Sequence, residues 1–175
     1  LKVYNNGELD FIENLPVDEV ATYLASGELN IADYIGTYYV CFNTENEVFS
    51  DPAIRKAFSL VIDRNYIVDN VTQSGEVPAT GYVPSGIYDA DGASGDDFRT
   101  VGGEYYSVSE DDYEKNCEEA RQILADAGYP DGEGFPTVEY LYNTDDKHKK
   151  IAEALQNMWQ KELGVTVNLD NQDWN

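Results

Sequence analysis

Basic residues are scarce in this chain: 11 Lys and Arg stand against 34 Asp and Glu, a net charge of −23 over 175 residues. A phosphate-binding face needs clustered Lys and Arg, so this balance argues against nucleic acid, and it disfavours anionic membrane surfaces. Cysteine is rarer still, with only Cys41 and Cys117. Two thiols are too few for a disulfide scaffold or a zinc site. There is one histidine, His148. It alone could serve a Ser-His-Asp or Cys-His arrangement, and neither cysteine sits in a nucleophile context. No G-x-G-x-x-G or phosphate loop occurs. No apolar run approaches the ~18 residues of a membrane span. Internal repeats, low-complexity segments, a signal peptide and a lipidation motif are all missing from these residues. The chain opens at Leu1 without Met and stops at Asn175 just past a strand-like run, which reads as an excised domain whose targeting signals lie elsewhere.

What is present suits one folded unit. Hydrophobic residues make up 42% of the chain and Tyr occurs 14 times, enough for a sizeable core despite the charge. The acidity is read as a solvated surface; steering of cationic ligands and adaptation to salt are the sharper alternatives. Tyr34 to Asn43, rich in Tyr, Val and Phe, is expected to form a central strand with both faces largely apolar. A short strand is expected over Leu9–Ile12 and a helix from Val17 to Leu24. Ser50 or Asp51 caps the next helix, Pro52 suits its first turn, and Ile54, Ala57, Phe58 and Val61 form its apolar stripe. Asp63 restarts a helix. Residues 74–108 read as an extended piece near Ala79–Val83 and a long acidic loop. Ser109 and Asp112 form a capping box for a helix carrying Tyr113, Cys117, Ala120, Leu124 and Ala127 inward, stopped by Gly128 and Pro130. Strand Val138–Tyr142, a helix capped by Thr144 and running through Leu163, and strand Val165–Asp170 imply a βαβ crossover. Both cysteines read as small buried hydrophobes, and sequence leaves a Cys41–Cys117 bridge undecided. Among Asp89, Asp91, Asp96 and Asp97, an EF-hand register fails because Ala93 and Thr100 fall on ligand positions. A looser calcium site and a plain acidic loop are the two readings of that cluster.

Several stretches share a pattern. Thr37, Tyr38, Tyr39 and Asn43 fit TYY-x-x-x-N, followed by Phe49, Asp51, Arg55, Ala57, Ile62, Asp63 and Arg64 at matching spacing. LKVYNNGELDFI (Leu1–Ile12), PATGYVPSG (Pro78–Gly86) and ARQILADAGYPDG (Ala120–Gly132) add to it. The longest match is LYNTDDKHKKIAEALQNMWQKELGVTVNLDNQDW, from Leu141 to Trp174. Together they resemble the extracytoplasmic solute-binding proteins that deliver oligopeptides and dipeptides to ABC importers. Residues 87–108 are the weak zone.

The resemblance implies a mixed α/β chain: one lobe of a type II periplasmic-binding-protein-like fold, its central mixed sheet flanked by helices. Residues 1–29 would be a hinge-side segment and residues 30–175 an incomplete C-terminal, peptide-binding lobe. It implies a monomeric, non-enzymatic protein that captures extended oligopeptides between two lobes and hands them to permease subunits, with no cofactor or metal. The location would be extracytoplasmic, in the periplasm or on the cell surface as a lipoprotein, with the anchor outside these residues. The isolated domain would bind peptides weakly or not at all. Tyr34 and Tyr39 match positions at the edge of the peptide cleft; core packing is the alternative for both. His148 matches a position that helps receive a peptide's C-terminal carboxylate, which a helix N-terminus also favours; a structurally satisfied, partly buried His is the alternative. Lys147, Lys149 and Lys150 add nearby positive charge or simply a solvated face. Thr72 stands where some relatives carry a Lys, and it cannot supply that charge. Other solutes carried by relatives on this fold (nickel, heme, glutathione, oligosaccharide) are the second reading, and an unrelated acidic α/β enzyme the third.

Overall fold

Asp145 begins the most regular unit of the molecule. In the computed structural model, which describes residues 1–174, its carboxylate accepts the amides of Lys147 and His148 at 2.9 and 3.1 Å. That caps a helix over Asp146–Leu163. The helix joins strand β1 (Val138–Asn143) to strand β2 (Val167–Gln172), and the two pair in parallel from Val138↔Val167 to Asn143↔Gln172. The expected crossover is therefore present, but its cap is Asp145, because Thr144 Oγ1 is engaged by the Asn171 side-chain amide at 2.8 Å. Gly164 closes the helix at φ 70°, and a Cβ there would meet the carbonyl of Asp131 at 2.1 Å. Glycine thus serves both the left-handed turn and a backbone-to-backbone approach.

In chain order the helices are α1 (Lys2–Asn5), α2 (Val17–Ser26), α3 (Pro52–Leu60), α4 (Arg64–Tyr66), α5 (Phe98–Gly102), α6 (Tyr113–Asp126) and α7 (Asp146–Leu163). Asp51 caps α3 through the amide of Ala53 at 2.8 Å, and Asp63 caps α4 through Tyr66 at 2.9 Å. The chain then widens into a π-type turn over Ile67–Thr72. The Ser109–Asp112 capping box does not form. Glu110–Asp112 is a tight 3₁₀ turn, and Ser107 takes the role instead, donating to Asp112 Oδ2 at 2.7 Å and accepting the Ser109 amide at 3.2 Å.

α3, α6 and α7 enclose the core with β1 and β2. The predicted α3 stripe of Ile54, Ala57, Phe58 and Val61 is buried, as are Cys117, Ala120 and Leu124 of the α6 stripe, whose Tyr113 and Ala127 are half-buried; Ile151, Leu155 and Trp159 on α7 are buried with them. Phe58 is the hub. Its ring stands edge-on to Phe49 at 5.1 Å and to Phe42 at 6.1 Å, and is tilted against Trp159 at 5.5 Å and Phe135 at 5.7 Å. Offset and edge-on aromatic pairs add stabilisation beyond the area they bury.

The sequence pattern overstates the sheet. Residues 31–43 are not a strand, and the sheet has two strands among the described residues. The alternation is nonetheless that of a strand: Val40 and Phe42 pack against the core while Tyr39 and Cys41 are exposed. A hydrogen-bonded ladder needs a partner as well as a pattern, and here the pattern has none. Cys41 is therefore an exposed thiol rather than a buried hydrophobe, and both cysteines are free. No strand forms over Leu9–Ile12 either, where Phe11 is exposed.

Candidate functional site

A groove of about 950 Å³ runs between the extended segment Thr37–Asn43 and β1 with the residue before it. Phe49, Phe58 and Trp159 line it from the core side. Helix periodicity places Phe58 on α3 and Trp159 on α7, and Phe49 comes from the turn before α3, so the groove's floor is an outcrop of the core. His148, in the first turn of α7, borders it, as does Trp174 beyond β2.

One polar cluster marks the groove. The Tyr38 hydroxyl lies 2.9 Å from His148 Nδ1, and the two rings tilt together at 5.5 Å. Tyr38 keeps half its surface exposed, yet its hydroxyl end is desolvated. That burial, with Tyr140 and then Asp145 adding to it, pushes the phenol well above the usual range. Burial also raises Tyr140, against a hydrogen bond from Tyr38 that lowers it. Tyr140 in turn stands edge-on to Trp159 at 5.8 Å. Both phenols of the cluster are held in their protonated form.

The three predicted site residues part company. His148 and Tyr39 both line the groove. The Tyr39 ring meets Tyr82 edge-on at 5.2 Å, and that hydroxyl contact raises its pKa. Tyr34 is 91% exposed and lies outside the groove's lining. The positive charge around His148 is already engaged. Lys147 pairs with Glu76, Lys150 with Asp18, and Lys149 lies 3.9 Å from Glu153. Asp145 occupies the N-terminus of α7, so an anion arriving there meets a carboxylate already in place. Thr72 is buried and gives its hydroxyl to Glu76 Oε2 at 2.8 Å. In the acidic loop, Asp97 accepts the amides of Gly86 and Arg99, which lower its pKa, and Asp89 accepts that of Asp91. Among the described residues no group of three or more His, Cys, Asp or Glu is placed to hold a metal ion. Tyr140 and Trp159 were not foreseen as groove residues. The signal for Tyr140 was its alternation with Glu139 and Leu141, which put it on the same face as the α7 stripe.

The family model for bacterial extracellular solute-binding proteins, family 5 (middle region), matches residues 1–175. The chain belongs to that family. It is 36% identical over 174 residues to the periplasmic oligopeptide-binding protein OppA of Salmonella typhimurium, covering 98% of this chain and 30% of that protein. It is also 36% identical over 179 residues to the oligopeptide-binding protein OppA of Bacillus subtilis, covering 100% of this chain and 31% of that protein. The chain thus spans about 30% of the length of these relatives. Among solved structures, Haemophilus influenzae OppA in complex with RPPGFSPFR superposes with a TM-score of 0.81 at 30% identity, covering 99% of this chain and 33% of that one. The family-5 fold accounts for the two long sequence matches lying side by side, since Tyr38 of one touches His148 of the other.

Proposed function

We propose that this chain is part of the extracytoplasmic binding component of a peptide ABC importer. Residues 30–175 form most of one peptide-binding lobe, and residues 1–29 are the hinge-side segment. The protein captures extended oligopeptides between two lobes and passes them to permease subunits; it performs no catalysis. The observation that carries this reading is whole-chain similarity to oligopeptide-binding relatives at 36% identity. The exposed aromatic surface supports it: Tyr34, Tyr39 and Tyr82 stay open to solvent. Aromatic walls with polar tips tolerate varied side chains while offering large contact area. Tyr39 and His148 are the residues assigned to ligand contact within the groove, and Tyr34 to its approach. With the neighbouring lysines paired to acids, any carboxylate contact at His148 rests on the imidazole itself.

Calorimetry on the full-length protein with a pool of short peptides tests the proposal. Peptide binding is expected, with Tyr39→Ala and His148→Ala each weakening it about tenfold, or about 1.4 kcal/mol. A full-length protein that ignores every peptide and co-purifies with another solute, identified by native mass spectrometry, would overturn it.

A further inference from the structure

Thr72, Ser74 and Lys147 converge on a single carboxylate. The Thr72 hydroxyl donates to Glu76 Oε2 at 2.8 Å, and the Ser74 amide donates to the same oxygen at 3.1 Å. The Lys147 ammonium meets the other oxygen, Oε1, at 2.5 Å. Two neutral donors on one oxygen and a cation on its twin form a cradle that suits any carboxylate. Its parts come from three places. Thr72 ends the π-type turn and is only 3% exposed; π-type turns recur at functional sites. Gln73 then turns left-handed at φ 54°, and Ser74 Oγ donates back to the Thr72 carbonyl at 2.9 Å, which fixes Ser74 in place. Lys147 stands in the first turn of α7, its own amide held by Asp145.

The occupant is the least anchored member. Thr72 is buried and Lys147 rises from an 18-residue helix. Glu76 sits on an open loop between Gly75, at φ 84°, and Val77, which is 82% exposed. The Lys147 and Glu76 side chains are both more than a third exposed, so a carboxylate from solution can reach the same ammonium. Lys147 also precedes His148, the residue assigned to ligand contact, in the same helical turn. Lys149 and Lys150 lie against Glu153 and Asp18. Displacing Glu76 therefore frees one cation, Lys147, next to His148.

Resting on the peptide-binding reading above, we infer that Glu76 sets the end-group specificity of that site. It keeps the Thr72–Ser74–Lys147 cradle closed to a ligand's C-terminal carboxylate, so the protein takes peptides whether or not their C-terminus is charged. The tether favours the internal carboxylate, which faces the cradle at an effective concentration on the order of millimolar. Glu76 touches no ligand in this role; it acts by withholding Lys147. A purely structural role would change the affinity for charged and uncharged C-termini alike, whereas withholding a cation changes only the first.

Calorimetry on the full-length protein tests this, with the short peptides of the pool supplied both as free acids and as C-terminal amides. The parent protein is expected to bind the two forms within about twofold of each other. Glu76→Ala empties the cradle and should favour the free acid by about tenfold, the scale of one charge-assisted hydrogen bond. Glu76→Gln keeps the side chain's length and removes its charge; it gives a second reading, with the free acid favoured by about threefold. Adding Lys147→Met to either variant should abolish the preference. Equal binding of acid and amide by both Glu76 variants would overturn the inference, as would a tenfold preference already present in the parent or one that survives Lys147→Met. Loss of both forms in both variants would mark Glu76 as a structural residue and also overturn it. A parent protein that binds neither form would overturn the peptide reading itself, and this inference with it.

Discussion

The Tyr38 hydroxyl sits 2.9 Å from His148 Nδ1, tying residues 110 positions apart in sequence. This is the one hydrogen bond between the aromatic segment and α7 among the described residues, and it also places the Tyr38 hydroxyl against Tyr140. Tyr38→Phe keeps the ring's packing and removes only the oxygen. The expected loss of stability is about 1 kcal/mol, the usual net worth of such a bond. Tyr39→Phe, whose partner Tyr82 is itself exposed, should cost less than half of that. Urea midpoints of the two variants check the ordering, and equal effects would mean that the Tyr38–His148 contact carries no weight in solution.

The two thiols should differ sharply in reactivity. Cys41 is exposed on the outward side of the extended segment, whereas Cys117 is fully buried on α6. Burial pushes the Cys117 thiol up, with Glu162 and Glu114 adding to it against a hydrogen bond from Tyr113. The thiolate is the reactive form, so Cys117 is both covered and short of it. A maleimide reagent is expected to label Cys41 within minutes in the native protein and Cys117 only after denaturation. Peptide mapping reads both sites at once. Native labelling of Cys117 would mean that α6 opens locally.

Helices were legible in the sequence because their information is local. Asp51, Pro52 and the Ile54–Val61 stripe specify α3 within a dozen residues, and Gly164 marks the end of α7 the same way, although its cap is Asp145 and not the expected Thr144. The β1–α7–β2 crossover followed for the same reason. The aromatic segment was misjudged because a strand is a property of two chains. Its alternation put Val40 and Phe42 on one face without saying which face meets the core, and nothing local to Tyr34–Asn43 can state where its ladder partner lies. Exposure of Cys41 follows from the same gap. At the candidate site, His148 was visible as the lone histidine near a capped helix start. Its partner was not, because Tyr38 and Tyr39 are equivalent until a three-dimensional neighbour selects one. The lysines beside His148 read in sequence as a solvated face or as added positive charge, and only the fold brings Glu76 to Lys147 and Asp18 to Lys150.

Trp159 should be the most sensitive groove residue for stability. Its Nε1–H donates to the Phe58 carbonyl at 2.9 Å, a buried bond spanning 101 positions. That carbonyl lies in the last turn of α3, and the amide four residues on, Ile62, bonds to Ser59 instead. Helix ends leave such carbonyls without intrahelical partners, and the indole supplies one. Trp159→Phe removes the donor and part of the ring volume together. The expected cost is about 2–4 kcal/mol, combining a cavity with a stranded buried acceptor. Chemical denaturation measures it, and a change below about 1 kcal/mol would mean that the Phe58 carbonyl finds water.

Acid should release the contact that holds α7 to the loop after the π-type turn. Glu76 joins Lys147 and the buried hydroxyl of Thr72. Partial burial alone would raise its pKa, but the Lys147 ammonium, its own backbone amide and Thr72 outweigh that and hold the carboxyl below its usual range. A folded-state value below the unfolded one, which is about 4.3 for Glu, stabilises the fold above that pH. The stabilisation is then lost as pH falls through the lower, folded value. Because both side chains are more than a third exposed, solvent screens the pair and its worth is about 0.5 kcal/mol. Glu76→Gln is therefore expected to be less stable than the parent protein by about that amount at pH 7, with the difference shrinking towards pH 3. Paired urea titrations at the two pH values decide it, since a gap that persists in acid would trace to the Thr72 hydrogen bond rather than to the charge.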